Sequence, residues 1–174
     1  MKKETQYLVI GVVVLGGFYL MANQPKATSV PKSKRENSLE TLLPTFRKKI
    51  DVLLQMMVVD GFDPFVFESR RSKERAKDLS IKGTGIEESQ HTIDAAVDIL
   101  DRKALWKTSQ AFFDALHRNS LALGLGRIKH KDKNGKVDWD WAHVQALPGN
   151  QDKKLYALGD AAKREEFLRK TYKV

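Results

Sequence analysis

The chain has 174 residues, a formal charge of +9, a sequence pI of about 9.7 and no cysteine. Its 41% apolar and 30% charged residues are those of a globular domain with a real core. The missing thiol excludes disulfides, thiolate metal sites, a cysteine nucleophile and a lipid-modified cysteine. Any metal must then be held by His, Asp or Glu. The basic balance favours anionic partners (nucleic acid, acidic lipid headgroups, wall polymers) without choosing among them.

Lys2 and Lys3 precede an uncharged apolar run, Tyr7 to Ala22. That order is a membrane-targeting pattern, and residues 1–22 are predicted to form an amino-terminal transmembrane anchor. As a helix the run reaches about 24 Å, short of the ~20 residues of a comfortable span. A retained anchor, a cleaved signal and an anchor weakened by Gly11, Gly16 and Gly17 all fit, with a buried core helix as the bland alternative. Residues 23–39 carry Pro25, Pro31 and a basic cluster, and read as a linker.

A helix is predicted from near Leu42, with Pro44 in its first turn and Phe46, Ile50, Leu53, Leu54 and Met57 at helical spacing. Gly61 ends it. Phe62 to Glu68 reads as a strand. Ser72 resembles the N-cap of a helix running to about Lys82, and 83–90 is a loop. Ala95 to Leu100 is a short apolar strand carrying one acid, Asp98. A helix over 104–122 is expected to bury Leu105, Phe112, Phe113, Leu116 and Leu121, with Gly124 and Gly126 closing it. Asn134-Gly135 signals a hairpin turn, and Val137 to Leu147 reads as a strand or extended segment. The tail from Leu155 to Tyr172 reads as a charged helix with Leu155, Leu158, Ala162 and Phe167 as a docking stripe. Helices and short strands without regular alternation indicate an α+β fold with a small antiparallel sheet and flanking helices.

There are four histidines. His117 lies among polar residues of a helix and His130 in a basic turn, so both read as solvated. The other two sit beside acids. His91 precedes Asp98, an acid that is costly inside an apolar strand unless paired or metal-bound. His143 follows Asp140 by three residues, and Trp139 and Trp141 flank that acid. Two imidazoles and a carboxylate form a three-ligand set for catalytic zinc, and a further acid, here Asp140, can take a proton from water. The residues alone leave a structural hydrogen bond as the alternative.

The order of these residues resembles that in the zinc D-alanyl-D-alanine carboxypeptidases and the phage L-alanyl-D-glutamate endolysins, which share the Hedgehog/DD-peptidase fold. Their first metal motif, Ser-x-His-x-x-Gly-x-Ala-x-Asp, is matched by Ser89, His91, Ala96 and Asp98. Their second, Asp/Glu-x-x-His with Glu or Gln two residues on, is matched by Asp140, His143 and Gln145. Their arginine followed by Ser or Thr, after a strand and opening a helix, is matched by Arg71-Ser72. The resemblance covers residues 40–147, leaving 148–174 as a helical extension. Asp94 stands where the family has glycine, Ala142 replaces a frequent proline, and the Gly-Gly-Trp element is only hinted at by Leu123 to Arg127.

The resemblance implies Zn2+ held by His91, Asp98 and His143, with Asp140 as general base and acid and Arg71 stabilising the oxyanion. Arg70 takes that role if the register shifts by one. Ser89, Trp141 and Gln145 are implied at the substrate, although a turn-stabilising Ser89 and a core Trp141 fit equally. The implied activity is a peptidoglycan peptidase of endopeptidase or carboxypeptidase type, belonging to a phage lysis or cell-penetration enzyme or to a host wall-remodelling one. With the amino-terminal anchor this gives a single-pass membrane protein whose carboxyl-terminal domain faces the cell wall. The alternative is a non-catalytic wall-binding or structural membrane protein that keeps the fold. Nucleic acid is not expected as a partner, because the charge is spread along the chain and no recognised binding motif appears.

Overall fold

The computed structural model describes residues 35–131, 137–149 and 151–174. Among the described residues five helices and five strands follow in order: α1 (Pro44–Val59), β1 (Pro64–Glu68), α2 (Lys73–Ile81), β2 (Ala96–Asp101), α3 (Gln110–Ala122), β3 (Lys129–Lys131), β4 (Val137–Trp139), β5 (His143–Gln145), α4 (Asp152–Ala157) and α5 (Ala161–Tyr172). Three 3-10 helices, Leu39–Thr41, Gln90–Ile93 and Leu105–Lys107, complete them. The class is α+β, as the sequence predicts.

An antiparallel sheet of order β1-β2-β5 organises the domain, and β3 and β4 form a separate ribbon. Side chains alternate along a strand, so the sheet has two unlike faces. Val66, Val97, Ile99 and Val144 point into the core, where Phe46, Ile50, Leu53 and Met57 of α1 and Phe112, Ala115 and Leu116 of α3 meet them. Opposite pairs on the other face are Phe65 with Leu100, Glu68 with Asp98, and Asp98 with His143. One face therefore stabilises the domain through apolar burial, and the other carries the polar groups.

The tail joins the same core through Leu155 and Leu168. Glu165 accepts from the backbone N–H and hydroxyl of Thr45 (3.1 and 2.6 Å). A carboxylate there satisfies an orphan donor in the first turn of α1 and suits the helix dipole. The Tyr172 hydroxyl donates to the Gly124 and Ala146 carbonyls.

Several expectations are corrected. The helix expected over 104–122 begins at Gln110, where Ser109 caps it by accepting the Phe112 N–H (3.3 Å). Before that cap the chain makes a 3-10 turn, and Leu105 takes φ 52, outside helical geometry. Leu105 and Leu121 are accordingly exposed rather than buried. The single strand expected over 137–147 is two short strands in different sheets, because the chain turns at 140–142. The tail helix is broken by Gly159 at φ 75, and its stripe includes Leu168, whereas Ala162 is exposed.

The localisation is corrected as well. Among the described residues no helix is long and apolar enough to cross a membrane. The longest, α1, has 16 residues and buries Phe46, Ile50, Leu53 and Met57 in the protein core. The anchor predicted over 1–22 lies outside the described residues, so the reading as a single-pass membrane protein is unsupported.

Candidate metal centre

Three elements bring His91, Asp98 and His143 together. His91 sits in the 3-10 helix Gln90–Ile93, where the Ser89 hydroxyl accepts its backbone N–H (3.4 Å). Asp98 lies within β2, and His143 opens β5 opposite it in register. Directly opposite residues of an antiparallel pair share a face, so sheet register alone places this carboxylate beside this imidazole. Asp98 Oδ1 is 3.3 Å from both His91 Nε2 and His143 Nδ1. One donor atom from each residue falls within 4.8 Å of the others. His91 is 1% and His143 4% exposed.

The outer nitrogens are held from behind. His91 Nδ1–H donates to the Ser69 carbonyl (3.1 Å). His143 Nε2–H donates to Gln145 Oε1 (3.2 Å), and the Gln145 amide donates in turn to the Leu147 carbonyl (2.8 Å). Each ring is thus held by its far nitrogen and turns its inner nitrogen toward Asp98. Metal-ligating histidines are oriented in this way by acceptors behind them. Nitrogen, nitrogen and carboxylate oxygen converging in a largely buried cluster form a group that could hold a metal ion.

The three groups are strongly coupled. Burial opposes charge on Asp98, but the charges and hydrogen bonds of His91 and His143 outweigh it and hold the carboxyl far below its ordinary range. Burial also opposes charge on His143, yet the hydrogen bond and charge of Asp98, with the charge of Asp140, raise its pKa. Asp98 is therefore a standing anion at the centre of the cluster, which is what a cation requires.

Arg71 reaches this centre from the end of β1. Its Nη2 is 3.8 Å from Asp98 Oδ2 and ion-pairs with Glu68 Oε2 at 2.5 Å. Glu68 also accepts from Arg75 Nε (2.9 Å). Burial works against charge on Glu68, but its two arginines lower its pKa overall. Arg71 Nη1 donates to the Ser89 hydroxyl (3.5 Å). Arg71 and Ser89 both lie at the site, where Ser89 holds the loop and the arginine. Arg70 points elsewhere, to Asp94 Oδ1 at 3.4 Å. Gln145 stands behind His143, with both ends of its amide engaged inside the protein.

Asp140 lies in the turn between β4 and β5. Its N–H donates to the Ile128 carbonyl (3.0 Å), and its own carbonyl accepts the His143 N–H (3.2 Å). Its carboxylate is half-buried and within electrostatic range of His143. Trp141 is half-buried, its ring 6.2 Å from that of Phe113. The side chain of Trp139, the other candidate for the pocket wall, lies outside the description.

Sequence reasoning missed Glu68, Ser69, Gly126 and Arg127. Arg127 is buried, and its Nη2 donates to the carbonyls of Asp140 (3.3 Å) and Trp141 (2.5 Å). Burial pushes its pKa down to about 10, although the Asp140 charge opposes that fall. Gly126 exchanges two backbone hydrogen bonds with Gln145 (2.8 and 3.0 Å). A Cβ there would lie 1.9 Å from the Leu147 carbonyl oxygen, so only glycine fits. The pair Gly126-Arg127 thus grips both ends of the segment carrying Asp140, His143 and Gln145. The available signal was a glycine and an arginine just before a charged hairpin, which is weak without a partner in view.

The departure at Asp94 has a local explanation. Asp94 ends the 3-10 helix with φ 61, a left-handed conformation that glycine adopts freely and Asp tolerates better than most side chains. It pairs with Arg70 and does not join the metal cluster.

No family model matches the sequence, and no curated protein matches it. Solved structures do. The Serratia marcescens L-Ala D-Glu endopeptidase ChiX is 18% identical over 68% of this chain and 92% of its own, with a TM-score of 0.45. The LdcB LD-carboxypeptidase, from a structure revealing the molecular basis of peptidoglycan recognition, is 17% identical over 83% and 79%, with a TM-score of 0.48. VanYB in complex with D-alanine-D-alanine is 18% identical over 80% and 92%, with a TM-score of 0.44. The chemistry of this chain is read from its own residues.

Proposed function

We propose that this protein is a zinc-dependent peptidase of peptidoglycan. The observation that carries the reading is the convergence of His91 Nε2, Asp98 Oδ1 and His143 Nδ1, with both imidazoles oriented from behind. The donor set fits zinc, which takes two histidines and a carboxylate and leaves a place for water or substrate. When bound, the ion supplies an acidified water and a positive charge near the scissile carbonyl.

The protein's own groups do the rest. The Asp140 carboxylate accepts the proton of the attacking water as its oxygen bonds to the carbonyl carbon. As the carbon–nitrogen bond breaks, Asp140 delivers that proton to the leaving amine. Arg71, held by Glu68 and 3.8 Å from Asp98, adds positive charge where the oxyanion develops. Arg127 and Gly126 hold the turn that carries Asp140.

Peptidoglycan is favoured as substrate by the three ordered motifs and the basic chain, which suits an anionic wall. The names of the structural neighbours agree with it. The motif likeness to phage endolysins extends the reading to a lysis enzyme. The test is digestion of purified sacculi by the full chain, by Asp140→Ala and by a chelated sample, with products identified by mass spectrometry. New amine and carboxyl ends from the wild type alone support the reading and name the bond. Metal binding without cleavage favours the non-catalytic alternative.

A further inference from the structure

The face of the sheet that holds Asp98 and His143 continues into an aromatic strip. Phe65 lies opposite Leu100 on that face, and Leu100 is two residues from Asp98 along β2. Glu68, which pairs with Arg71, is opposite Asp98. Phe65 is therefore about 10 Å along β1 from the catalytic end of the strand. Phe65 meets Phe67 at 6.4 Å between ring centroids, and Phe67 meets Trp106 edge-on at 4.7 Å. Trp106 is 66% exposed, a large apolar ring left open to solvent beside the exposed Leu105.

Two further observations single out this place. Leu105, next to Trp106, has φ 52. A leucine there is strained, and such strain persists where the surroundings impose it, commonly at functional surfaces. Two guanidinium groups flank the rings, Arg35 at 3.9 Å over Phe67 and Arg102 at 5.1 Å over Phe65. The strip thus offers an open indole and two guanidinium groups, that of Arg102 lying 3.4 Å from Asp63, on the sheet face of the metal centre.

We propose that Phe65, Phe67, Trp106, Arg35 and Arg102 form a docking strip for the glycan strand next to the peptide being cut. Sugar rings present C–H faces that pack on aromatic faces, whose negative quadrupole attracts them. Carboxylates of neighbouring stem peptides meet Arg35 and Arg102. The substrate is a polymer, so a surface about 10 Å from the cleaved bond lies within reach of the chain attached to it. This assignment rests on the peptidoglycan reading above.

The test compares two substrates, using the full chain and its Trp106→Ala variant. Trp106 is exposed, so its removal leaves the core intact. Hydrolysis is measured on intact sacculi and on a soluble stem peptide without sugar, and binding by co-sedimentation with sacculi. The strip predicts that Trp106→Ala loses about tenfold in rate and binding on sacculi, the scale of one good stacking contact, with the peptide rate unchanged. An Arg35→Ala, Arg102→Ala double variant should show the same split, deepening at low salt. Equal rates and binding on sacculi overturn the proposal. So does a variant changed only in self-association, which would assign the strip to a second copy of the chain. If the wild type cuts neither substrate, the peptidase reading fails, and co-sedimentation still decides the strip.

Discussion

Gln145 accepts the Nε2–H of His143 at 3.2 Å while its own amide donates to the Leu147 carbonyl at 2.8 Å. The second bond fixes which end of the amide faces the imidazole, and the first fixes which imidazole nitrogen is left for a metal. Replacing Gln145 by Ala releases the ring. Metal affinity should fall roughly 10- to 100-fold, the usual cost of losing such a partner. Chelator competition followed by calorimetry measures it, and an unchanged affinity would show that His143 is oriented by something else.

Arg127 should matter to catalysis without touching substrate. Arg127→Met leaves the Asp140 and Trp141 carbonyls short of a donor in a buried setting, at about 1–3 kcal/mol for a lost buried partner. A lower Tm is expected together with a fall in kcat that exceeds any change in KM, because Asp140 is misplaced rather than the binding surface altered. A Tm loss with kcat unchanged would make the residue merely structural.

Gly126→Ala puts a methyl group on the Leu147 carbonyl, the nearest atom at 1.9 Å. The backbone must shift, and the cost belongs at the top of the overpacking range, about 3 kcal/mol or more. Denaturant unfolding of the variant checks this.

Much of this was legible in the sequence. The meeting of His91, Asp98 and His143, with Arg71 beside them, was, because each sits in a short spaced motif and the three motifs come in a fixed order. The first helix and the two main strands were also legible, since Phe46, Ile50 and Leu53 keep helical spacing and β2 is a short apolar run. The supporting residues were not. Ser69 and Arg127 act through partners distant in sequence, and although Glu68 pairs with Arg71 three residues on, nothing local marks that pair as buried. Leu105 and Leu121 misled because they fit a helical stripe, whereas the helix starts only at Gln110 and its inner face is filled by Phe112, Ala115 and Leu116.

Asp94 gives a pH prediction. Burial raises its pKa, against the lowering effects of Arg70 and Arg164. A raised carboxyl contributes stability that is fully present below the unfolded value of about 3.9, and that contribution is lost as pH rises through the folded value. Near neutral pH the ionised Asp94 is therefore a mild liability. Asp94→Asn removes the charge and keeps a side chain tolerant of φ 61. It should stabilise the protein at pH 7 by less than about 1 kcal/mol, the scale of a surface pair. The gain should vanish as pH falls toward 3.9 and below. Thermal unfolding at both ends of that range decides it, and destabilisation at pH 7 would show that the Arg70 pair outweighs burial.

The most direct test is a zinc titration of the chelator-stripped full chain, read by calorimetry and by the shift in Tm, beside the Asp98→Ala variant. The account predicts one ion per wild-type chain, a Tm that rises with zinc because only the folded state offers the assembled ligands, and neither effect in Asp98→Ala. A wild-type chain that takes up no ion, or a variant that binds as tightly, would contradict the assignment of His91, Asp98 and His143 as the metal centre.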